Sequence, residues 1–244
     1  MSELFSIQLQ NRQQQGRDGV WLDLPTTTEQ VQAALRQIGI SSDNPQGLFI
    51  SGYFAEEEKR FAIPYNMVLA SNVDELNFLA SRLETLSTGE RAELNAALQA
   101  PQSELFSIGR ITDFPENVDY YVHLPDVHGP AQLGDYYLNR SGMVDMPEEW
   151  KGGIDTAQFG RYVAQQEQGV FTEYGYLVKS GDAWQKVHEG QPVPEEYRVL
   201  SFPAPEVLRD SANIPPPVQP ETEPQKVIPI ILNGKDSAER MKEI

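Results

Sequence analysis

Two capping boxes in the middle of the chain constrain the fold more than any other feature. Asn72 with Glu75, and Ser87 with Glu90, each place a short polar acceptor three residues ahead of an acid that can return the hydrogen bond. Leu76, Leu79, Leu83 and Leu86 follow the first box at spacings of three and four, an apolar stripe along one face of a helix. Leu94, Ala97 and Leu98 follow the second. Residues 71–101 are therefore expected to form a helical hairpin, part of a small bundle.

The flanking segments follow another rule. Phe5-Ser6-Ile7-Gln8-Leu9 alternates strictly, as a half-buried strand does. Gly19 to Pro25 reads as a second strand stopped by proline, and Leu48 to Ser51 as a third. Between them Thr28 is expected to cap a helix over 29–38, with Val31 and Leu35 on one face. Residues 1–70 thus make a small unit of antiparallel sheet plus helix. Residues 102–202 mix both types again. Val118 to Leu124 reads as a strand. Pro130 opens a helix carrying Leu133, Tyr136 and Tyr137 and closed by Gly142. Asp155 caps a helix carrying Phe159, Tyr162 and Val163, ending near Gly169. Val170 to Lys179, then Ser180-Gly181, then Asp182 to Val187, predicts a β-hairpin. The expected class is α+β, in three small subdomains: 1–70, 71–101 and 102–202. From 203 to 244 prolines crowd the sequence, as in a stiff extended linker, and the chain is expected to be disordered there. Its last residues, Ser237 to Ile244, start a helical pattern that stops abruptly, so a truncated end is expected.

Charge narrows the function. The chain holds 36 acidic against 19 basic residues, a net charge of −17. Residues 1–200 contain 29 acids and 14 bases, so the imbalance belongs to the folded part. Such a surface repels nucleic acid and suits either simple solubility or a basic partner. There is no cysteine. That excludes disulfides, thiolate metal sites and cysteine nucleophiles. No stretch approaches the ~18 apolar residues of a membrane span, and Met1 to Gln10 lacks the plan of a signal peptide. A cytoplasmic location and no membrane partner are expected.

Catalytic patterns are missing. The sequence has no phosphate loop, dinucleotide fingerprint, HExxH or Gly-x-Ser-x-Gly. His123-x-x-Asp126-x-His128 spans Pro125 without a regular geometry for metal ligation. Glu56-Glu57-Glu58, Glu148-Glu149 and Glu195-Glu196 are sequence neighbours whose side chains diverge, unlike acid/base pairs that converge from separate elements. Tyr120-Tyr121 and Tyr136-Tyr137 fit core packing or an apolar protein interface better than base stacking, given the charge. No cofactor and no enzymatic activity are expected; an acidic binding protein is.

Several segments, taken in order, resemble the ArdA antirestriction family. They are Gly19-Val20-Trp21-Leu22-Asp23-Leu24; Leu76 to Glu84 with Glu90 to Leu94; Leu133-Gly134-Asp135-Tyr136-Tyr137-Leu138 through Met146-Pro147-Glu148; and Asp155 to Tyr162 with Gly169 to Tyr176. The resemblance covers about residues 3 to 190. It implies an elongated molecule of three small domains and a homodimer. It also implies surface carboxylates arranged like the phosphates of bent DNA, directed at the methyltransferase core of Type I restriction-modification enzymes. Carried onto this sequence, the acidic surface would comprise Asp74, Glu75, Glu84, Glu90, Glu93, Asp113, Glu116, Asp119, Asp126, Asp135, Asp145, Glu148, Glu149 and Asp155. Leu133, Gly134, Tyr136, Tyr137 and Leu138 are the candidate antirestriction motif and dimer interface, with plain helix core as the competing reading. Beyond residue 200 the chain departs from the family, and Val227 to Leu232 with Ser237 to Ile244 is similar to the lead-in of an ArdC-like domain. Other readings of the acidic surface are an inhibitor of another DNA-binding system, such as a CRISPR effector or nucleoid protein, or an acidic module that recruits a protein through Tyr136-Tyr137. An undetected hydrolase is a further one.

Overall fold

The computed structural model describes residues 4–14, 18–56 and 61–203. The expected linker and tail from 204 onward lie outside the described residues. So do Glu57 and Glu58.

The N-terminal sheet contains β1 (Phe5–Asn11), β2 (Val20–Leu24) and β3 (Leu48–Phe54), in the antiparallel order β2-β1-β3. Along β1 the alternation sends Phe5, Ile7 and Leu9 into the core and Ser6, Gln8 and Gln10 outward. A bulge at Gln8/Leu9 pairs Gln8 with Gly52 and Leu9 with Ile50, so both faces keep their sense across β3. β3 runs three residues past the expected Ser51, because Tyr53 packs edge-on against Phe5 at 5.4 Å. Helix α1 (Thr28–Gln37) buries Val31, Ala34 and Leu35. Its cap is Thr27, one residue before the expected Thr28, and Gln30 closes a capping box with it.

A short helix, α2 (Tyr65–Leu69), leads to the helical pair α3 (Val73–Glu84) and α4 (Thr88–Gln99). Both expected capping boxes form. Asn72 Oδ1 accepts from the Glu75 amide at 2.9 Å, and Glu90 Oε2 accepts from the Ser87 amide at 2.7 Å. Leu76, Leu79 and Leu83 are fully buried. So is the polar Asn77, which is satisfied on both sides: it accepts from the Thr26 amide at 2.7 Å and donates to the Tyr197 carbonyl at 3.0 Å. One apolar core runs from the first sheet through this pair to Tyr121 and Leu177.

After α5 (Ile108–Thr112) comes β4 (Tyr121–Leu124), with residues 118–120 in a 3₁₀ turn where a strand was expected. Then α6 (Pro130–Asp135) passes into a π turn, Tyr136–Arg140. A single turn, α7 (Glu148–Lys151), precedes α8 (Thr156–Glu167), whose N-cap is the expected Asp155. β5 (Val170–Thr172) and β6 (Gly175–Lys179) complete a second antiparallel sheet of order β4-β6-β5.

The predicted hairpin is corrected here. Its turn lies at Glu173-Tyr174, where Gly175 takes φ +121°, and not at Ser180-Gly181. Residues 182–187 form no strand. Side chains take their backbone groups instead: Asn117 binds both the amide and the carbonyl of Gln185, at 2.7 and 2.9 Å. Asp113 accepts from the amides of Val187, His188 and Glu189 at 2.6–3.3 Å.

Candidate functional site

The segment from Pro130 to Glu167 is a tight antiparallel pair, α6 against α8, joined by a long exposed connection. Pro130 starts α6 at a position where its missing N–H is harmless. Leu133 is fully buried, in a small second core with Val127 and Tyr176. The helices meet at Gly134 and Gly160. A Cβ on Gly134 would overlap the Thr156 carbonyl, and one on Gly160 the Pro130 carbonyl. Only glycine permits this approach, since the obstacles are backbone atoms. Glu167, at the end of α8, accepts from Tyr137 Oη at 2.5 Å and Tyr176 Oη at 3.0 Å. Burial, together with that carboxylate, pushes both phenols above their ordinary range.

This arrangement corrects part of the interface expectation. Leu133, Gly134 and Leu138 are buried within their own chain and offer nothing to a partner. Tyr136 and Tyr137 are half-buried against the second core, with rings edge-on at 5.5 Å. Exposure begins after them. Gly142, at φ +69°, ends the π turn, and no residue from 141 to 155 is buried. Met143 is 76 % exposed and Trp150 68 %.

The fourteen carboxylates separate into distinct groups. Asp119, Asp126, Asp145, Glu148, Glu149 and Asp155 are exposed. Between residues 113 and 155 the only basic side chains are Arg140 and Lys151. Both are held locally, Arg140 by Asp135 at 3.1 Å and Lys151 by Glu148 at 2.7 Å. Among the described residues, Asp119, Asp126, Asp145, Glu149 and Asp155 meet no cation. Glu75 and Glu90 are half-buried and close capping boxes, and the Ser87 hydroxyl and amide hold Glu90 below the usual carboxylate range. Asp74 is also half-buried; it accepts from the amides of Val199 and Leu200, both at 2.7 Å. Glu84 is half-buried on α3.

Three members do not stand as free outward carboxylates in this structure. Asp113 is fully buried and anchors residues 187–189, because three amides converge on it. Glu116 is neutralised by an ion pair with Arg82. Glu93 has one oxygen buried without a hydrogen-bond partner. Burial, and then the neighbouring Glu90 and Asp119, push its carboxyl up to about 8, which weakens its hold on a negative charge.

Sequence reasoning missed Glu167, whose role depends on two tyrosines distant in the chain. It also missed Arg110, 7 % exposed, which pairs with Glu104 at 2.8 Å and Glu189 at 3.0 Å and lies under Phe106. No local pattern marks either. His123 meets the Tyr174 carbonyl at 2.7 Å, and His188 packs edge-on against Phe78. Among the described residues no cluster of three His, Cys, Asp or Glu side chains could hold a metal ion. No helix among them is long and apolar enough to cross a membrane.

The model of one protein family, Antirestriction protein (ArdA), matches residues 15–178, well over half of the chain. The chain belongs to the ArdA antirestriction family. Comparison with curated proteins gives no match. The family span takes in both capping boxes, the Gly134–Gly160 crossing and all fourteen candidate surface carboxylates, and it ends within β6. The tail that resembled an ArdC-like lead-in lies outside both this span and the described residues.

Proposed function

We propose that this ArdA protein inhibits Type I restriction-modification enzymes by binding, not by catalysis, as a mimic of DNA. The observation that carries this reading is the exposed run Asp119, Asp126, Asp145, Glu149 and Asp155, in a stretch whose two cations are already held by other carboxylates. A groove built to neutralise phosphates gains from fixed carboxylates by the same counterion release, and the reading requires no base-specific contact. The segments 1–70, 71–101 and 102–202 are proposed as successive stretches of one contact surface, with the third contributing most of the charge. A homodimer is part of the proposal. With Leu133, Gly134 and Leu138 turned inward, its apolar contacts would come from Met143, Trp150 and Tyr162, which are exposed.

The test is inhibition of a Type I enzyme cleaving unmodified plasmid, at two salt concentrations. Wild-type protein should inhibit, lose potency with salt, and be competed away by DNA. Reversing Asp126, Asp145 and Glu149 to lysine should weaken inhibition by roughly ten- to a hundredfold at low salt and flatten the salt dependence. Undiminished inhibition by that folded variant would refute the mimicry.

A further inference from the structure

The outer face of the N-terminal sheet carries two large exposed aromatic residues that no core explains. Trp21 on β2 is 50 % exposed and Phe54 on β3 is 58 % exposed. The register places them on one face. Trp21 lies opposite Gln8, which lies opposite Gly52; Asp23 lies opposite Ser6, which lies opposite Phe54. The two rings lean toward each other across β1, with centroids 6.5 Å apart and planes at 74°. Gly52 makes room for the indole, since a Cβ there would stand 3.1 Å from Trp21 Cη2. Asp23 is exposed, and its carboxylate leans over the same strand to accept from Ser6 Oγ at 2.6 Å. The row that ends in Phe54 therefore begins with a fixed carboxylate, one strand step from the indole.

Two aromatic faces beside an exposed, oriented carboxylate match a guanidinium better than any other common group. Its plane stacks on an aromatic ring while its N–H fork meets the carboxylate. A lysine ammonium is a compact, strongly hydrated charge and gains less from the rings. Charge complementarity points the same way, since the chain carries −17 overall. We propose that Trp21, Phe54 and Asp23 form an arginine-recognition site, which takes a guanidinium from the basic surface of the protein's target. For the identity of that target the site rests on the function proposed above; its chemistry does not.

The experiment uses the full chain and two labelled peptides of equal length and charge, nona-arginine and nona-lysine, followed by fluorescence anisotropy. Wild-type protein should prefer the arginine peptide by roughly three- to tenfold. Trp21→Ala and Asp23→Asn should each bring the ratio close to one, while Trp21→Phe retains most of it. A wild-type ratio near one, or a folded Trp21→Ala protein with an unchanged ratio, overturns the site. Should Trp21→Ala fail to fold, the wild-type indole N–H resonance of Trp21, identified by its loss in Trp21→Phe, decides. It should move with the arginine peptide and not with the lysine peptide, and an unmoved resonance overturns the site. No restriction enzyme takes part, so arginine preference without enzyme inhibition refutes the functional reading alone, and inhibition without arginine preference refutes the site alone.

Discussion

Glu93→Gln should stabilise the protein at pH 8 and leave its stability unchanged near pH 4. One Glu93 oxygen is buried without a partner, and burial with the nearby Glu90 and Asp119 pushes the carboxyl up to about 8. In the unfolded chain the same group titrates near ~4.3. Between those values the folded protein holds a proton that the unfolded chain has released. Stability is therefore greatest below the unfolded pKa and falls as pH rises toward 8. At ~1.36 kcal/mol per pH unit a fully dry site would lose nearly 5 kcal/mol over that window. Glu93 is only half-buried, and solvent screening brings the expected loss down to about 2 kcal/mol. Glutamine resembles the protonated acid in shape and does not titrate. The difference between Glu93→Gln and wild type, from urea unfolding at intervals from pH 4 to 8.5, should grow from near zero to that value. A difference that stays flat across the range would show that burial does not raise the Glu93 carboxyl, and would return it to the anionic surface. The same substitution should leave inhibition of a restriction enzyme at neutral pH intact, since Glu93 is half-buried and lies outside the exposed run of acids.

Gly134→Ala and Gly160→Ala should each destabilise the protein by about 3 kcal/mol, because the added methyl meets a backbone carbonyl that cannot rotate away. Gly89→Ala on α4, where nothing lies within 4 Å, should be neutral or stabilise by up to about 0.5 kcal/mol, and urea midpoints compare the three. Asp113→Ala strands three amides at once and should cost about 3 kcal/mol or more, with hydrogen exchange accelerating first at residues 187–189. Asn77→Leu fits a similar volume but leaves the Thr26 amide and the Tyr197 carbonyl unpaired, for a loss of about 2 kcal/mol in the same assay.

The elements set by local pairs were legible in the sequence. Both capping boxes and the Leu76-Leu79-Leu83 stripe depend on residues within one or two helical turns, and the structure contains them as read. The alternation of β1 and the Asp155 cap belong to the same class. What failed depends on partners far apart. Nothing around Asp182 to Val187 reveals that Asn117 and Asp113, about seventy residues earlier, will take up its backbone groups. The candidate surface meets the same limit. Asp113 and Asp126 are both acids beside turn-forming residues, yet three amides bury one while the other faces solvent. A carboxylate's exposure is a property of the opposing segment as much as of its own.

Placing the acids in the third segment also explains how that segment is held together. Its second core is small, with Val127, Leu133 and Tyr176 as the buried members, and the acids of residues 119–155 repel one another around it. Apolar burial alone is a weak counterweight there. The segment is secured by contacts that need little apolar area: the backbone-to-backbone approach of α6 and α8 at Gly134 and Gly160, and the Glu167 carboxylate bound by two tyrosines. Both fix the backbone without drawing on the outward acids. Side chains at 145 and 149 are thereby left to solvent, while the exposed Asp155 caps α8 by accepting from the Gln158 amide at 3.0 Å, and on the reading proposed above a basic partner that covers them relieves the repulsion that folding had to overcome. On that reading binding and folding are linked through one surface, and a partner selective for the folded chain must also stabilise it.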